Sequence, residues 1–267
     1  MHERKTCRAV DGVQIVYSVA GTEQPALVFI HGGLANRSFW DAELKAFSAR
    51  YRVIALDLPG HGDSGVERQM WGIPQFGGDV RAVIEAERIN HAILFGNSLG
   101  GPVAIEAALL IPEKIIAVVG VDTFQSLNYK VDPEEMQQRA NAFRTNYSAA
   151  LSRMVNALFH GDADPALVAD TERRMSGTPP EAAYRIFLSM AGYDPSLAAR
   201  RLRAPLRAIN GDLYPTDVEG VRKLKSDFDV VVMKHMGHYP MLERAAEFDH
   251  LVAEMITKLL SQQESRH

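Results

Sequence analysis

The 267-residue chain has one cysteine, Cys7, so an internal disulfide framework and a cysteine-built zinc cluster are both excluded. That scarcity also suits a reducing compartment. No apolar run reaches the roughly 18 to 20 residues that a membrane-spanning helix needs. The polar start, MHERKTCRAVDG, lacks the apolar stretch of a signal peptide. A soluble cytoplasmic protein with no membrane partner is expected. Charge of one sign is scarce too: 29 Lys and Arg stand against 33 Asp and Glu, a formal net charge of −4. The basic residues are scattered, so there is no electrostatic footprint for nucleic acid. Neither an internal repeat nor a low-complexity tract is visible. Apolar residues are plentiful, 46% of the chain, enough to bury a sizeable core.

Short apolar runs alternate with longer segments of helical period. ALVFIHGG (26–33), RVIALDLPGHG (52–62), HAILFGN (91–97) and KIIAVVGVD (114–122) are continuous apolar runs, the pattern of strands buried on both faces. VQIVYSVAG (13–21) reads as a further strand. Helices are predicted around Phe39 to Phe47, over about 76–88, and at LGGPVAIEAALLI (99–111). This repeated order implies an α/β fold, a mostly parallel sheet with helices on both faces. From about Gln125 to Arg203 the strands stop. PEEMQQRANAFRTNYSAALSRMVNALF (133–159), PALVADTERRM (165–175) and PEAAYRIFLSMAG (180–192) all read as helices. The alternation resumes with PLRAING (205–211) and DVVVMKHMGH (229–238). A closing helix puts Phe248, Leu251, Val252, Met255, Ile256 and Leu259 on one apolar face. The expected organisation is a core of residues 1–124 and 204–267, with a helical cap inserted at 125–203.

Ligands of an open parallel sheet bind beyond the carboxyl ends of its strands. Ser98 falls there, in GNSLGG (96–101), where an apolar strand turns tightly into a helix. G-x-S-x-G in that context is a nucleophile elbow, whose tight turn holds the serine strained and exposed. Side chains at Gly96 and Gly100 would collide with the neighbouring strand and helix. The helix start also offers N–H groups and a positive dipole end to a developing oxyanion. The plainer reading is a glycine-rich helix start with a capping serine. A nucleophilic serine needs a base, and of nine histidines His238 is the best placed, after the last predicted strand. His235, three residues earlier, invites a metal reading, but a strand-end pair with no cysteine or carboxylate pair is not a ligand set. No metal and no cofactor is expected. His31 and His61, each beside a glycine in a strand-end loop, are expected to shape those loops rather than move protons.

These segments together resemble the α/β-hydrolase superfamily over essentially the whole chain. HGG (31–33) is similar to its oxyanion loop, DLPGHGDS (57–64) to a loop common in the group, GNSLGG to its elbow and GHYPMLE (237–243) to its histidine turn. The helical insertion falls where the family carries its cap. The resemblance implies Ser98 as nucleophile, His238 as general base, the backbone N–H groups of Gly33 and Leu99 as oxyanion hole, and residues 125 to about 203 as the lid. For DLPGHGDS the structural alternative is that Asp57 and the glycines merely organise a turn. The acid departs from the usual pattern. Many members place it three residues beyond a glycine after the penultimate strand, where NGDLYP (210–215) has Tyr214; Asp212 and Asp217 are out of step. Other members carry it after the strand before the cap, which is Asp122 in VVGVDTF (118–124). A buried, unpaired aspartate is costly, and an imidazolium would pair it. Asp122 is therefore the favoured acid, with Asp212 second and a turn-capping role for Asp122 as the plain alternative.

The reaction implied is metal-independent hydrolysis of a small-molecule carboxylic ester or related acyl substrate through an acyl-enzyme. Haloalkane dehalogenases and epoxide hydrolases of this fold carry an aspartate in place of Ser98. GNSLGG is also similar to the elbow of carbon–carbon bond hydrolases of ring-cleavage products, whose oxyanion loop is longer and richer in glycine than HGGLANRSFW (31–40). A ligand receptor or regulatory protein that keeps the triad but turns over slowly is the third reading. Phe143, Tyr147, Met154, Tyr184, Phe187 and Met190 either roof an apolar pocket or pack the cap on the core.

Overall fold

The apolar runs become the centre of one sheet in the computed structural model, which describes residues 2–128 and 132–264. The first half contains strands Glu3–Arg8 (β1), Gln14–Ala20 (β2), Ala26–Ile30 (β3) and Arg52–Leu56 (β4), with helix Asp41–Phe47 (α1) between the last two. Helix Ile73–Ala86 (α2), strand Ala92–Asn97 (β5), helix Gly100–Leu110 (α3) and strand Ile115–Val121 (β6) follow. Then come five helices, Pro133–Thr145 (α4), Tyr147–Asn156 (α5), Pro165–Met175 (α6), Pro180–Leu188 (α7) and Pro195–Arg201 (α8). The chain closes with strand Leu206–Asn210 (β7), helix Val218–Arg222 (α9), strand Asp229–Val232 (β8) and helices Pro240–Glu243 (α10) and Ala245–Glu264 (α11).

Among the described residues, eight strands form the sheet in the order β1-β2-β4-β3-β5-β6-β7-β8. β2 pairs antiparallel with β1 and β4, and every other neighbour is parallel. All five residues of β3 are 0% exposed, which is what a strand covered by helices on both faces requires. Phe29 and Phe95 are register partners with ring centroids 4.8 Å apart, and Trp40 lies 5.1 Å from Phe29 and 6.4 Å from Phe248 of α11. Each such ring, fully buried, contributes roughly 1.5 to 3 kcal/mol relative to leaving it in water. From β3 the chain crosses to β4 on one side and later to β5 on the other, so winding reverses between the carboxyl ends of β3 and β5. Crevices open at such a switch point. The loop at His31 to Gly33 leaves one of these ends and Ser98 leaves the other.

The short helix α9 was not foreseen, the closing helix is split into α10 and α11, and three further elements differ from expectation. β1, absent from the sequence reading, is an exposed polar edge strand held by β2. The segment 133–159 is not one helix: Asn146 leaves helical geometry at φ −150°, and its side chain accepts the Ala149 N–H to start α5. α8 is an extra helix, capped by Asp194 through the Ser196 N–H.

Candidate active site

Ser98 sits at φ +50°, left-handed backbone that costs an L-residue roughly 1 to 2 kcal/mol. Close packing enforces it. A Cβ on Gly96 would lie 2.2 Å from Gly100 O, and one on Gly100 would lie 2.4 Å from Ile30 O. The turn is thus wedged between α3 and β3, and only glycine fits at both positions. The Ser98 N–H donates to Val121 O at 3.3 Å, and Ser98 O accepts the Gly101 N–H at 3.0 Å.

His238 follows β8 and donates from Nδ1 to Asp122 Oδ2 at 2.5 Å. Asp122 ends β6 with its side chain 0% exposed, and its other oxygen accepts the Gly211 N–H at 2.9 Å. An Nδ1 that donates to a carboxylate leaves the Nε2 of the neutral ring as an acceptor, the form a general base requires. The His238 N–H donates to Leu158 O at 2.9 Å, so the inserted helices also hold the histidine turn.

The other carboxylates are occupied elsewhere. Asp212 accepts the backbone N–H groups of His235 at 3.0 Å and Met236 at 3.1 Å, and these donors pull its carboxyl down to about 2. It therefore anchors the main chain of the histidine turn. Asp217 caps α9 through the Gly220 N–H, and Tyr214 donates to Ala157 O. His235 Nε2 faces Asp162 at 3.0 Å, while His238 faces Asp122, so the two histidines engage different carboxylates. Among the described residues no group of three or more His, Cys, Asp or Glu could hold a metal ion.

The loop that carries Gly33 packs against the elbow that carries Leu99. A Cβ on Gly32 would lie 3.2 Å from Ser98 Cβ, and one on Gly33 would lie 3.9 Å from the Leu99 side chain. Leu99 opens α3. The loop after Gly33 is tied to the insertion: Thr178 Oγ1 donates to Leu34 O, Asn36 Nδ2 to Arg174 O and Arg174 Nη1 to Ser38 O. Beside His238 the Tyr239 ring lies 5.1 Å away, and Phe159 and Phe39 pack on Tyr239 at centroid spacings of 5.7 and 5.4 Å. None of the three stood out in the sequence, because such rings are equally at home in any core. Of the insertion residues that did, Phe143 stacks on Phe187 at 4.6 Å and lies 5.7 Å from Tyr147, packing the inserted helices on one another. A separate cleft of about 550 Å³, lined by residues including Val10, Arg68, Met70 and Asp79, contains none of the triad candidates.

DLPGHGDS is a structural turn. Asp57, 0% exposed, accepts the Arg37 N–H at 2.7 Å, the Asp63 N–H at 2.9 Å and the Arg37 guanidinium. His31 donates from Nδ1 to Gly32 O and accepts the Leu58 N–H at Nε2. His61, its ring tilted against that of His31 with centroids 4.6 Å apart, donates to Pro59 O. Burial pushes His31 down to about 4 and His61 down to about 3, so both are neutral in the fold near neutral pH. In the unfolded chain each takes up a proton below about 6.5. The unfolded state therefore binds more protons from about pH 6.5 down to about 4, and the stability these rings supply is lost as pH falls through that window. The urea midpoint is expected to drop across it, with His61→Phe showing a shallower drop than wild type. An unaltered slope would refute this account.

Comparison with known proteins bears on the family and the fold. The sequence profile of the alpha/beta hydrolase family matches residues 27–251. The chain is 27% identical, over 91% of its length, to the dihydrolipoyllysine-residue acetyltransferase component of the acetoin cleaving system of Pseudomonas putida, of which it spans 66%. It is 25% identical to a pimeloyl-[acyl-carrier protein] methyl ester esterase of Nitrosospira multiformis, with 85% of the chain and 92% of the relative aligned. The solved enol-lactonase from Burkholderia xenovorans LB400 superposes with a TM-score of 0.84 at 23% identity, covering 95% of this chain and all of that one, a likeness of fold. With a profile match that spans most of the chain, on a mostly parallel eight-stranded sheet flanked by helices, the chain belongs to the alpha/beta hydrolase family.

Proposed function

We propose that this protein is a metal-independent serine hydrolase that cleaves carboxylic esters through an acyl-enzyme. Ser98 Oγ attacks the ester carbonyl while His238 Nε2 takes its proton. The N–H groups of Gly33 and Leu99 receive the oxyanion, at a helix start where charge is favoured. His238 then passes the proton to the departing alcohol. Water, activated by the same nitrogen, releases the acyl group as a carboxylic acid and restores Ser98. Asp122 fixes the ring tautomer and stabilises the imidazolium. The inserted segment 125–203 roofs the acyl pocket in this reading; residues 129–131 of it lie outside the described residues.

The observation that carries the proposal is the buried hydrogen bond from His238 Nδ1 to Asp122, which leaves Nε2 of the neutral ring an acceptor, as a base requires. Relatives named for a methyl ester and an enol-lactone support the bond type. Short 4-nitrophenyl esters and a fluorophosphonate probe test it. Steady turnover insensitive to EDTA, with one label at Ser98, is expected. Labelling without turnover would make the protein a receptor rather than a catalyst, and activity lost to EDTA and restored by zinc would refute the metal-free chemistry.

A further inference from the structure

Asp122 is held in an unfavourable backbone conformation, φ +43°, and Phe124 two residues later is at φ +63°. Left-handed geometry at non-glycine residues persists only where the surroundings over-determine it. Two asparagines do so, one from each neighbouring strand. Asn97 ends β5 and Asn210 ends β7, and both are 0% exposed. Asn97 Nδ2 donates to Val121 O at 2.9 Å, on the residue before Asp122. Asn210 Oδ1 accepts the Thr123 N–H at 3.2 Å, on the residue after it. The aspartate is thus gripped on both sides of its own peptide units.

Asn97 reaches further. Its second Nδ2 hydrogen goes to His238 O at 3.0 Å, so one amide nitrogen joins the main chains that carry the acid and the base. Its orientation is decided by its partners. Turned over, the amide would set its oxygen against two carbonyl oxygens. Its Oδ1 has no partner among the described residues, and a Cβ on Gly32 would lie 2.8 Å from it. Asn210 is itself steered, with Nδ2 donating to Thr216 Oγ1 at 2.9 Å.

We propose that Asn97 and Asn210 are positioning residues that hold Asp122 and His238 in register, and that Asn97 does so for both at once. This rests on the serine-hydrolase reading above. Neither side chain touches reacting atoms, so their removal should slow chemistry and leave substrate binding alone.

The test is ester kinetics and the proton spectrum of Asn97→Ala and Asn210→Ala, alone and combined with Asp122→Asn. Asn97→Ala is expected to lower kcat by about 10- to 100-fold, the penalty of a displacement near 1 Å in a reacting group, with KM within about threefold of wild type. Asn210→Ala is expected to lose less, about tenfold. The acid limb of the pH–rate profile should move to lower pH in Asn97→Ala, because the carboxylate no longer stabilises the protonated ring. The downfield Nδ1 proton resonance of His238 should broaden or vanish. In the Asp122→Asn background, Asn97→Ala should cost clearly less than it does alone, since its hold on the acid no longer matters and only its bond to the His238 main chain is left to lose. Should Asn97→Ala fail to fold, the isosteric Asn97→Asp serves, because it offers at most one hydrogen to the two carbonyls. Unchanged kcat and pH profile, or full additivity with Asp122→Asn, overturn the proposal. Activity retained by Ser98→Ala would instead overturn the reading beneath it, so the two failures are distinguishable.

Discussion

Ser98→Ala is expected to lose ester hydrolysis by on the order of 10⁴-fold or more while keeping the fold and melting behaviour of the wild type. The magnitude follows from the nucleophile's place in a unit: without it, the base has no proton to take and the oxyanion site acts only on water's slow attack. Retained stability follows from the turn. Close contacts at Gly96 and Gly100 impose the left-handed backbone, so alanine inherits a strain the serine already bears. Fluorophosphonate labelling should disappear with the activity. A variant that kept even a tenth of wild-type turnover would show that some other group attacks the ester.

The second large effect separates two carboxylates. Asp122→Asn is expected to lower kcat by about 10²- to 10⁴-fold, because an amide neither fixes the tautomer of His238 nor balances its positive charge in the transition state. Asp212→Asn is expected to lower kcat less than about tenfold. Its partners are the N–H groups of His235 and Met236 and the Nε2 of His160 at 3.3 Å, and an asparagine oxygen still accepts from one of them. The loss at Asp212 should appear mainly as reduced resistance to urea. Side-by-side kinetics on one ester decide the matter. If Asp212→Asn were the crippled variant and Asp122→Asn nearly normal, the acid would be misassigned.

The parts of the molecule legible in sequence are those whose signal is local. Ala26–Ile30, Ala92–Asn97 and Ile115–Val121 read as buried strands because parallel strands covered on both faces must be continuously apolar. The elbow was legible because its glycines are demanded by contacts within a few residues and one neighbouring strand. Glu3–Arg8 was not, since an exposed edge strand needs no apolar pattern and takes its shape from its partner. The break at Asn146 was hidden in a segment of otherwise good helix formers, where a capping asparagine competes with the continuing helix. Spacing left Asp122 and Asp212 in competition, because both lie at the same edge of the sheet. What separates them is which side of the histidine turn each one grips, ring or main chain. Asn97 and Asn210 gave no signal at all. The main-chain groups through which they hold the Asp122 and His238 segments stand 24, 141 and 87 positions away along the chain.

The Gly211 N–H that receives Asp122 belongs to β7's turn, although the carboxylate comes from β6. The carboxylate of one strand is therefore seated by the turn of the next, and its position depends on the register of both. Any displacement of β7 against β6 would move the anion relative to the imidazole it faces, so the edge-to-edge fit of two strands is also the tolerance of the pair.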